Sequence, residues 1–389
     1  MKVIAVYLIG RPSNGGSYQY WMAVLKALTQ INQDKYQVIV YSPYEDWGII
    51  VEALGLTFSV VNNNLNFVQK VCIYGFSRFI PLGLQRKFAF LWNPFVNTLR
   101  KKKPDLWIAQ TTEIGEELLG IPTIVPIFDL MHRYHPEIPE LNEKFKEREI
   151  LYTYECEHAT RILVDSEVGK QHVLECYGDG TSELGNKIRI LPFIPSDYIY
   201  EAEDIEELPY SIFPKYIFYP AQFWTHKNHT RLLQAIQKLK EKGIIINLVL
   251  VGSEQNNEQT VENMIEQYGI QDQVKILGYV NNLEMVYLYK HARALVMPTL
   301  LGPTNIPQLE AFVLHCPVAT SRIYAIPEQV GDAALLFDPL NVEEIAHCIE
   351  RLWVDDELCQ ELINKGQKKA EAWGQQEFAD TLLKYIYEI

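Results

Sequence analysis

The chain has 389 residues, with 35 Lys and Arg against 49 Asp and Glu, for a formal net charge of −14. An apolar share of 48% with only 22% charged residues excludes a disordered chain, and the length suits about two domains. The acidic balance argues against nucleic acid as a partner, because phosphate neutralisation needs positive surface.

Residues 3–9 read as a buried strand. They do not read as a signal segment, since a glycine-rich turn follows and no small-residue cleavage site is present. That turn is Asn14-Gly15-Gly16-Ser17. Adjacent glycines let a backbone approach a ligand and offer it N–H groups. The plainer reading is a tight strand-to-helix turn, and Gly10, Gly15 and Gly16 do not fit GxGxxG. A helix over 18–31 and a strand over 36–41 follow.

Between Glu52 and Asp105 there is no acidic residue, while Lys70, Arg78, Arg86, Lys87 and Arg100 to Lys103 are basic. Aromatic residues such as Phe76, Phe79, Phe88, Phe90 and Trp92 are interleaved. That mixture over 70–103 suits an anionic membrane surface; a buried helix with solvated lysines is the plainer alternative. No apolar run reaches the roughly 18–20 residues that span a bilayer. The six cysteines form no CxxC pair, so a reducing, cytoplasmic setting is expected, with attachment to the inner face of the cell membrane if the basic stretch acts as read.

Strands are expected at 106–109, 123–127 and 161–164, with a helix over 140–156. After an acidic, Pro-containing stretch at 195–214 the pattern restarts. A strand at 216–219, helix 230–242, strand 244–251, helix 258–268, strand 274–277, helix 283–291, strand 294–297 and a helix from about 307 follow. Alternation of this kind predicts α/β architecture with parallel sheets. Two such units bind ligands in a cleft at the carboxyl ends of their strands.

Three loops carry chemistry. Pro298 to Phe312 reads PTLLGPTNIPQLEAF, a strand end, a Gly/Pro/Asn loop and a helix with Pro in its first turn. A helix start suits a diphosphate. Glu310 would repel phosphate, so ribose hydroxyls are its natural partners; capping its own helix is the alternative. Asn305 with Gln308 has capping-box spacing, which leaves Glu310 free. The stretch YPAQFWTHKNH, residues 219–229, offers Lys227 to a phosphate, or merely to solvent. His132/His135 and His226/His229 are HxxH pairs without a third ligand, a weak zinc signal.

Taken together, these segments resemble the retaining nucleotide-sugar glycosyltransferases of the GT-B fold, family four. The carrying motifs are QFWTHKNH, LVLVG at 248–252, ILGYV at 276–280, ALVMPT at 294–299, GPTNIPQLEAF and GDAALLFDP at 331–339. The first half matches more thinly, through Gly15-Gly16, IFDLMHRYHPEIPE and LVDSEVGK at 163–170. The resemblance implies two Rossmann-like doubly wound domains facing across a cleft: 1–198 on the acceptor side, 199–374 on the donor side, and a helix over 375–389 crossing back.

It further implies a hexose, with mannose the first choice, moved from a nucleotide-diphosphate sugar to a glycan or lipid-linked acceptor without a metal or other cofactor. Lys227 falls where the family neutralises the donor diphosphate, and Glu310 where it holds the ribose. Thr304, Asn305 and Ile306 occupy the loop touching sugar and phosphate through backbone groups. Gly278, Tyr279 and Val280 lie where the base sits, and Gly16, beside Gly15, is the phosphate-side glycine. Asp129 and His132 are candidates to orient acceptor or sugar; a helix cap and a surface histidine are the alternatives.

There are departures. The family's first glutamate is Gly302 here, its arginine is Gln222, and its acceptor-side histidine falls at Phe128 beside Asp129. Arg322 or Arg133 could replace the missing charge. A nucleotide-sugar binder without transferase activity, a nucleotide-sugar epimerase and a sugar phosphorylase are the competing readings; no lysine-bound cofactor signature favours the last. Charge is uneven: residues 1–199 hold 20 basic and 22 acidic residues, and 200–389 hold 15 and 27.

Overall fold

The computed structural model describes residues 1–12, 15–61, 84, 94–110, 119–201, 203–302 and 304–389. Among these, the strands form two sheets. The first holds β1 (Lys2–Tyr7), β2 (Tyr36–Ser42), β3 (Thr57–Val60), β4 (Leu106–Ala109), β5 (Thr123–Pro126), β6 (Arg161–Val164) and β7 (Ile188–Ile190), in the order β3-β2-β1-β4-β5-β6-β7. The second holds β8 (Ile217–Pro220), β9 (Leu248–Val251), β10 (Val274–Ile276), β11 (Ala294–Met297), β12 (Val318–Ser321) and β13 (Ala334–Phe337), in the order β10-β9-β8-β11-β12-β13. The pairings are parallel, as in β1 on β2 (Lys2 opposite Tyr36) and β8 on β9 (Ile217 opposite Leu248). The α/β architecture read from the sequence is the one found.

The central strands are apolar because both faces are covered. On β1, Ile4 and Val6 enter one core while Ala5 and Tyr7 enter the other. On β9, Leu248 and Leu250 point one way, Val249 and Val251 the other. Alternate side chains on a strand must diverge, so each run feeds two layers of helices.

The helix Gln375–Tyr387 lies after the second sheet in sequence, yet Phe378, Leu382, Leu383 and Ile386 complete the first domain's core beside Trp21, Val24 and Leu28. Their spacing places them on one helical face.

Some boundaries differ from expectation. The helix expected over 140–156 is two, Pro139–Asn142 and Phe145–His158. Lys144 leaves helical geometry at φ −108° and ψ 15°, and the Phe145 and His132 rings pack edge to face with centres 5.4 Å apart. The strand expected over 244–251 begins only at Leu248, where its N–H reaches Gln273 O. The basic stretch 70–103 lies mostly outside the described residues; its end is the helix Pro94–Lys102, with Lys101, Lys102 and Lys103 exposed. Among the described residues no helix is long and apolar enough to cross a membrane.

Candidate functional site

The second domain presents two loops side by side at its strand ends. After β8 the chain makes a 3-10 turn, Thr225–Lys227, and Asn228 follows in the left-handed region at φ 60° before the helix His229–Glu241. Buried Asn228 holds this conformation by donating Nδ2 to Pro298 O and Pro339 O, both at 2.8 Å. Leu300 N–H donates to His226 O at 2.8 Å, and the Tyr219 hydroxyl donates to Lys227 O at 2.8 Å. The Lys227 turn is therefore tied to the segment that follows β11. Among the described residues, Lys227 Nζ makes no hydrogen bond or ion pair, and burial pulls its ammonium down to about 8.

The second loop runs from β11 to the helix Ile306–Val313. Gly302 sits at φ +105°, where a Cβ would lie 2.9 Å from Asn305 Nδ2. Asn305 is the residue before the helix, in extended geometry, but its side chain does not cap. Instead Gln329 clamps its backbone, accepting from Asn305 N at 3.0 Å and donating to Asn305 O at 2.7 Å. Gln308 turns inward and donates to Thr320 Oγ1 at 2.8 Å. The expected capping box is thus absent: the Gln308 amide is turned to Thr320, and the Asn305 Nδ2 is buried without a hydrogen-bond partner among the described residues.

Glu310 is not free as expected. It is 5% exposed, and a buried carboxylate needs hydrogen-bond donors. Ser196 Oγ (2.6 Å) and the Tyr198 hydroxyl (3.2 Å) donate to Oε1, and the Tyr289 hydroxyl (2.9 Å) donates to Oε2. Burial raises its pKa and these hydroxyls oppose the rise.

The remaining donor-side candidates are spread along the same rim. Gly278 has φ +65° with open space where a Cβ would stand. Tyr279 is 87% exposed, whereas Val280 is buried in the core. Gln222 is exposed and accepts from Trp224 Nε1 at 2.9 Å.

The first domain meets this rim directly. Gly15, at φ +46°, opens the helix Gly15–Thr29, and a Cβ on Gly16 would stand 3.8 Å from Ile306 Cδ1. Thr304 Oγ1 donates to Asp165 Oδ2. Asp165 is 3% exposed, and burial lifts its carboxyl to about 6. Asp129 Oδ1 accepts from Met131 N at 3.0 Å and pairs with Arg148 at 3.1 Å.

His132 is fully buried and is no surface histidine; Glu149 engages its Nε2 at 2.8 Å. Arg133 is held by the same Glu149 and lies over the Tyr177 ring, and Arg322 pairs with Glu344 at 3.2 Å. Arg133 thus has its charge partner in Glu149, while the Arg322 pair is exposed to solvent. Phe128 packs on Tyr20, with ring centres 4.9 Å apart. In the HxxH pairs, His226 is engaged by Glu140 and His135 by Glu137 and Tyr324, while His229 stacks on Phe223 with ring centres 4.7 Å apart. Among the described residues no group of three or more His, Cys, Asp or Glu could hold a metal ion.

Sequence reading missed Asp165, Ser196, Tyr198, Tyr289 and Glu140. The Asp-Ser pair ending β6 was a usable signal, since Ser166 caps the helix Glu167–Tyr177 and so marks a strand end at the cleft. Beside Asp165 and Thr304 lies a cavity of about 270 Å³, walled also by Phe193, Phe312 and Trp373.

Residues 203–369 match the family described as glycosyl transferases group 1. The chain is similar to the O-antigen chain mannosyltransferase B of Escherichia coli, 34% identical over 142 residues, which is 36% of this chain and 37% of that protein. The chain thus spans well under two thirds of that relative's length. It is also similar to the O-antigen chain mannosyltransferase RfbU of Salmonella typhimurium, 24% identical over 87% of this chain and 90% of that one. Among solved structures, Anabaena HepE in complex with UDP superposes with a TM-score of 0.71, covering 100% of both chains at 14% identity. At that identity the likeness shows a shared fold.

Proposed function

Because the chain has the GT-B fold and residues 203–369 belong to the glycosyl transferases group 1 family, we propose that it is a retaining hexosyltransferase taking its sugar from a nucleotide-diphosphate donor. The observation that carries this reading is Lys227: a half-buried ammonium without a counter-charge among the described residues, tied through His226 to the loop that opens the helix Ile306–Val313. A desolvated cation of this kind is stabilised by an incoming anion, and a diphosphate supplies one.

Glycosyl transfer builds positive charge on the sugar and negative charge on the leaving diphosphate. In this reading Lys227, with the loop at Thr304 and Ile306, stabilises the diphosphate without a metal. Attack comes from the face the diphosphate leaves, which retains configuration. Glu310 takes the ribose: a carboxylate offers about four acceptor positions, and three are filled by hydroxyls. Gly278, Tyr279 and Val280 edge the base, and Gly15 and Gly16 face the phosphates from the first domain. Asp129 is the first-domain carboxylate turned to acceptor or sugar, with His132 holding its segment through Glu149.

Mannose is the favoured sugar, because the relatives above are named mannosyltransferases. A glycan or lipid-linked acceptor at the cytoplasmic face of a membrane completes the proposal, with residues 70–103 as the contact to anionic lipid. The test is a panel of nucleotide-diphosphate sugars with and without a chelator. Slow release of nucleoside diphosphate, fastest from a mannose donor and unchanged by chelation, is expected. Binding of a donor with no hydrolysis or transfer would favour a silent binder. Absence of binding to anionic liposomes at low salt removes the membrane part alone.

A further inference from the structure

The segment Met131 to Asn142 lies in the first domain but makes its most specific contacts with the second. Glu140, in the short helix Pro139–Asn142, sends its carboxylate across the cleft to the Lys227 turn. Oε1 lies 2.7 Å from His226 Nδ1 and accepts from His226 N–H at 3.3 Å. Oε2 accepts from Asn256 Nδ2 at 3.1 Å, and Asn256 Oδ1 in turn accepts from Thr225 N at 3.0 Å and Thr225 Oγ1 at 3.2 Å. One first-domain carboxylate therefore holds two of the three residues of the turn whose last member is Lys227.

The protonation states agree with the geometry. Burial first, then the Lys227 charge, lowers the His226 pKa to about 4, so near neutral pH the ring is uncharged. Nδ1 then carries its hydrogen and donates to the carboxylate, whose own pKa is lowered. The side chains of Glu140 and His226 are 11% and 17% exposed, so water competes little for the bond. Apolar contacts flank it: Met131 and Ile138 of the first domain pack with Leu301 of the second, and Tyr134, Leu141, Leu300 and Tyr324 close around them. Leu300 is also the residue whose N–H holds His226 O. The segment thus grips the turn and the loop it is tied to.

We propose that Glu140 is a positioning residue that sets Lys227 when the two domains close, so that domain closure and assembly of the diphosphate site are one event. The proposal rests on the donor-lysine reading above. A displacement of about 1 Å in a group that stabilises charge can cost on the order of 100-fold in rate. Open domains leave His226 and Asn256 without this partner, and the turn then keeps only its second-domain bonds.

Three variants and two readouts test it. In donor turnover, Glu140→Ala should lower kcat by about 10-fold to 100-fold with a smaller change in donor KM. Glu140→Gln, which keeps an acceptor oxygen, should recover most of that loss. His226→Ala should add little to Glu140→Ala, since both remove one contact. In small-angle scattering of the ligand-free chain, Glu140→Ala should raise the radius of gyration above that of the parent chain, with thermal melting checking that it is folded. Unchanged turnover, or additive losses in the double variant, overturns the proposal. If the parent chain turns over no donor, the transferase reading fails instead, and scattering still decides the clasp: equal radii for parent and Glu140→Ala reject it.

Discussion

Gly302 and Asn305 occupy one another's space: a Cβ on Gly302 would stand 2.9 Å from Asn305 Nδ2 and 3.2 Å from its Oδ1. The resemblance to the glycosyltransferases places a glutamate at this position, and here the asparagine three residues on leaves no room for one. With φ at +105°, the position is doubly closed to larger residues. Gly302→Ala is expected to cost about 1–3 kcal/mol in chemical denaturation and to lower transfer. Gly302→Glu should be worse and should not restore activity, although it recreates the family pattern. Activity equal to or above the parent chain's in Gly302→Glu would show that the loop readily adopts another conformation.

Lys227 predicts how donor binding depends on pH. Burial holds its ammonium near 8 in the free protein, below the ordinary lysine value. The cation is present at pH 7 and lost as pH rises past about 8, so affinity for nucleoside diphosphate should fall above that point. Because the unfolded chain keeps its proton to higher pH, this group makes the fold more stable as pH rises from about 8 towards 10.5. Calorimetric titration across pH 6.5–9.5 checks the first statement, and Lys227→Ala should bind weakly and with a flatter profile.

Glu310 should matter to the fold as well as to the ligand. Glu310→Ala strips a partner from Ser196, Tyr198 and Tyr289 at once. Leaving buried hydroxyls unpaired costs about 1–3 kcal/mol each before relaxation, so a loss of roughly 2–4 kcal/mol in denaturation is expected, together with weaker nucleotide binding. A fully stable Glu310→Ala that still binds nucleotide normally would remove it from both roles.

Asp165 should make stability depend on pH. Its carboxyl titrates at about 6 in the fold, against about 3.9 in an unfolded chain. The native state therefore holds this proton more tightly. The stabilising contribution is complete below about pH 4 and is lost as pH rises through 6. Asp165→Asn removes the effect while keeping an acceptor for the Thr304 hydroxyl. Relative to the parent chain, it should gain roughly 2–3 kcal/mol between pH 4 and 7.5, read from denaturation curves at both pH values. A constant difference between the two proteins would contradict the assignment.

The final helix is an integral wall of the first domain. Phe378 is fully buried there, against Tyr20 at 6.2 Å between ring centres. Phe378→Ala should cost about 3–5 kcal/mol. Truncation before Gln375 should expose Trp21, Val24 and Leu28 and yield an aggregating or proteolysed protein. A stable, active truncated chain would show the helix to be dispensable.

The sequence by itself determined the α/β architecture, most strand positions, the glycine turn at 15–16, the loop that carries Lys227 and the loop and helix start that lead to Glu310. These are local properties: a run of apolar residues reports a strand, and a Gly/Pro/Asn stretch before a periodic segment reports a loop and helix start. Partners were not legible. Glu310 is held by residues 21 to 114 positions away, Thr304 by Asp165 across 139, and His226 by Glu140 across 86. Periodicity shows which face of an element is buried but not which distant hydroxyl or carboxylate will meet it there. That choice is made when the two sheets and their connections pack, because a buried charge must then find a partner from whatever element arrives beside it. Tertiary structure therefore decided that Glu310 is occupied, that His132 is interior, and that the first domain reaches the Lys227 turn through Glu140.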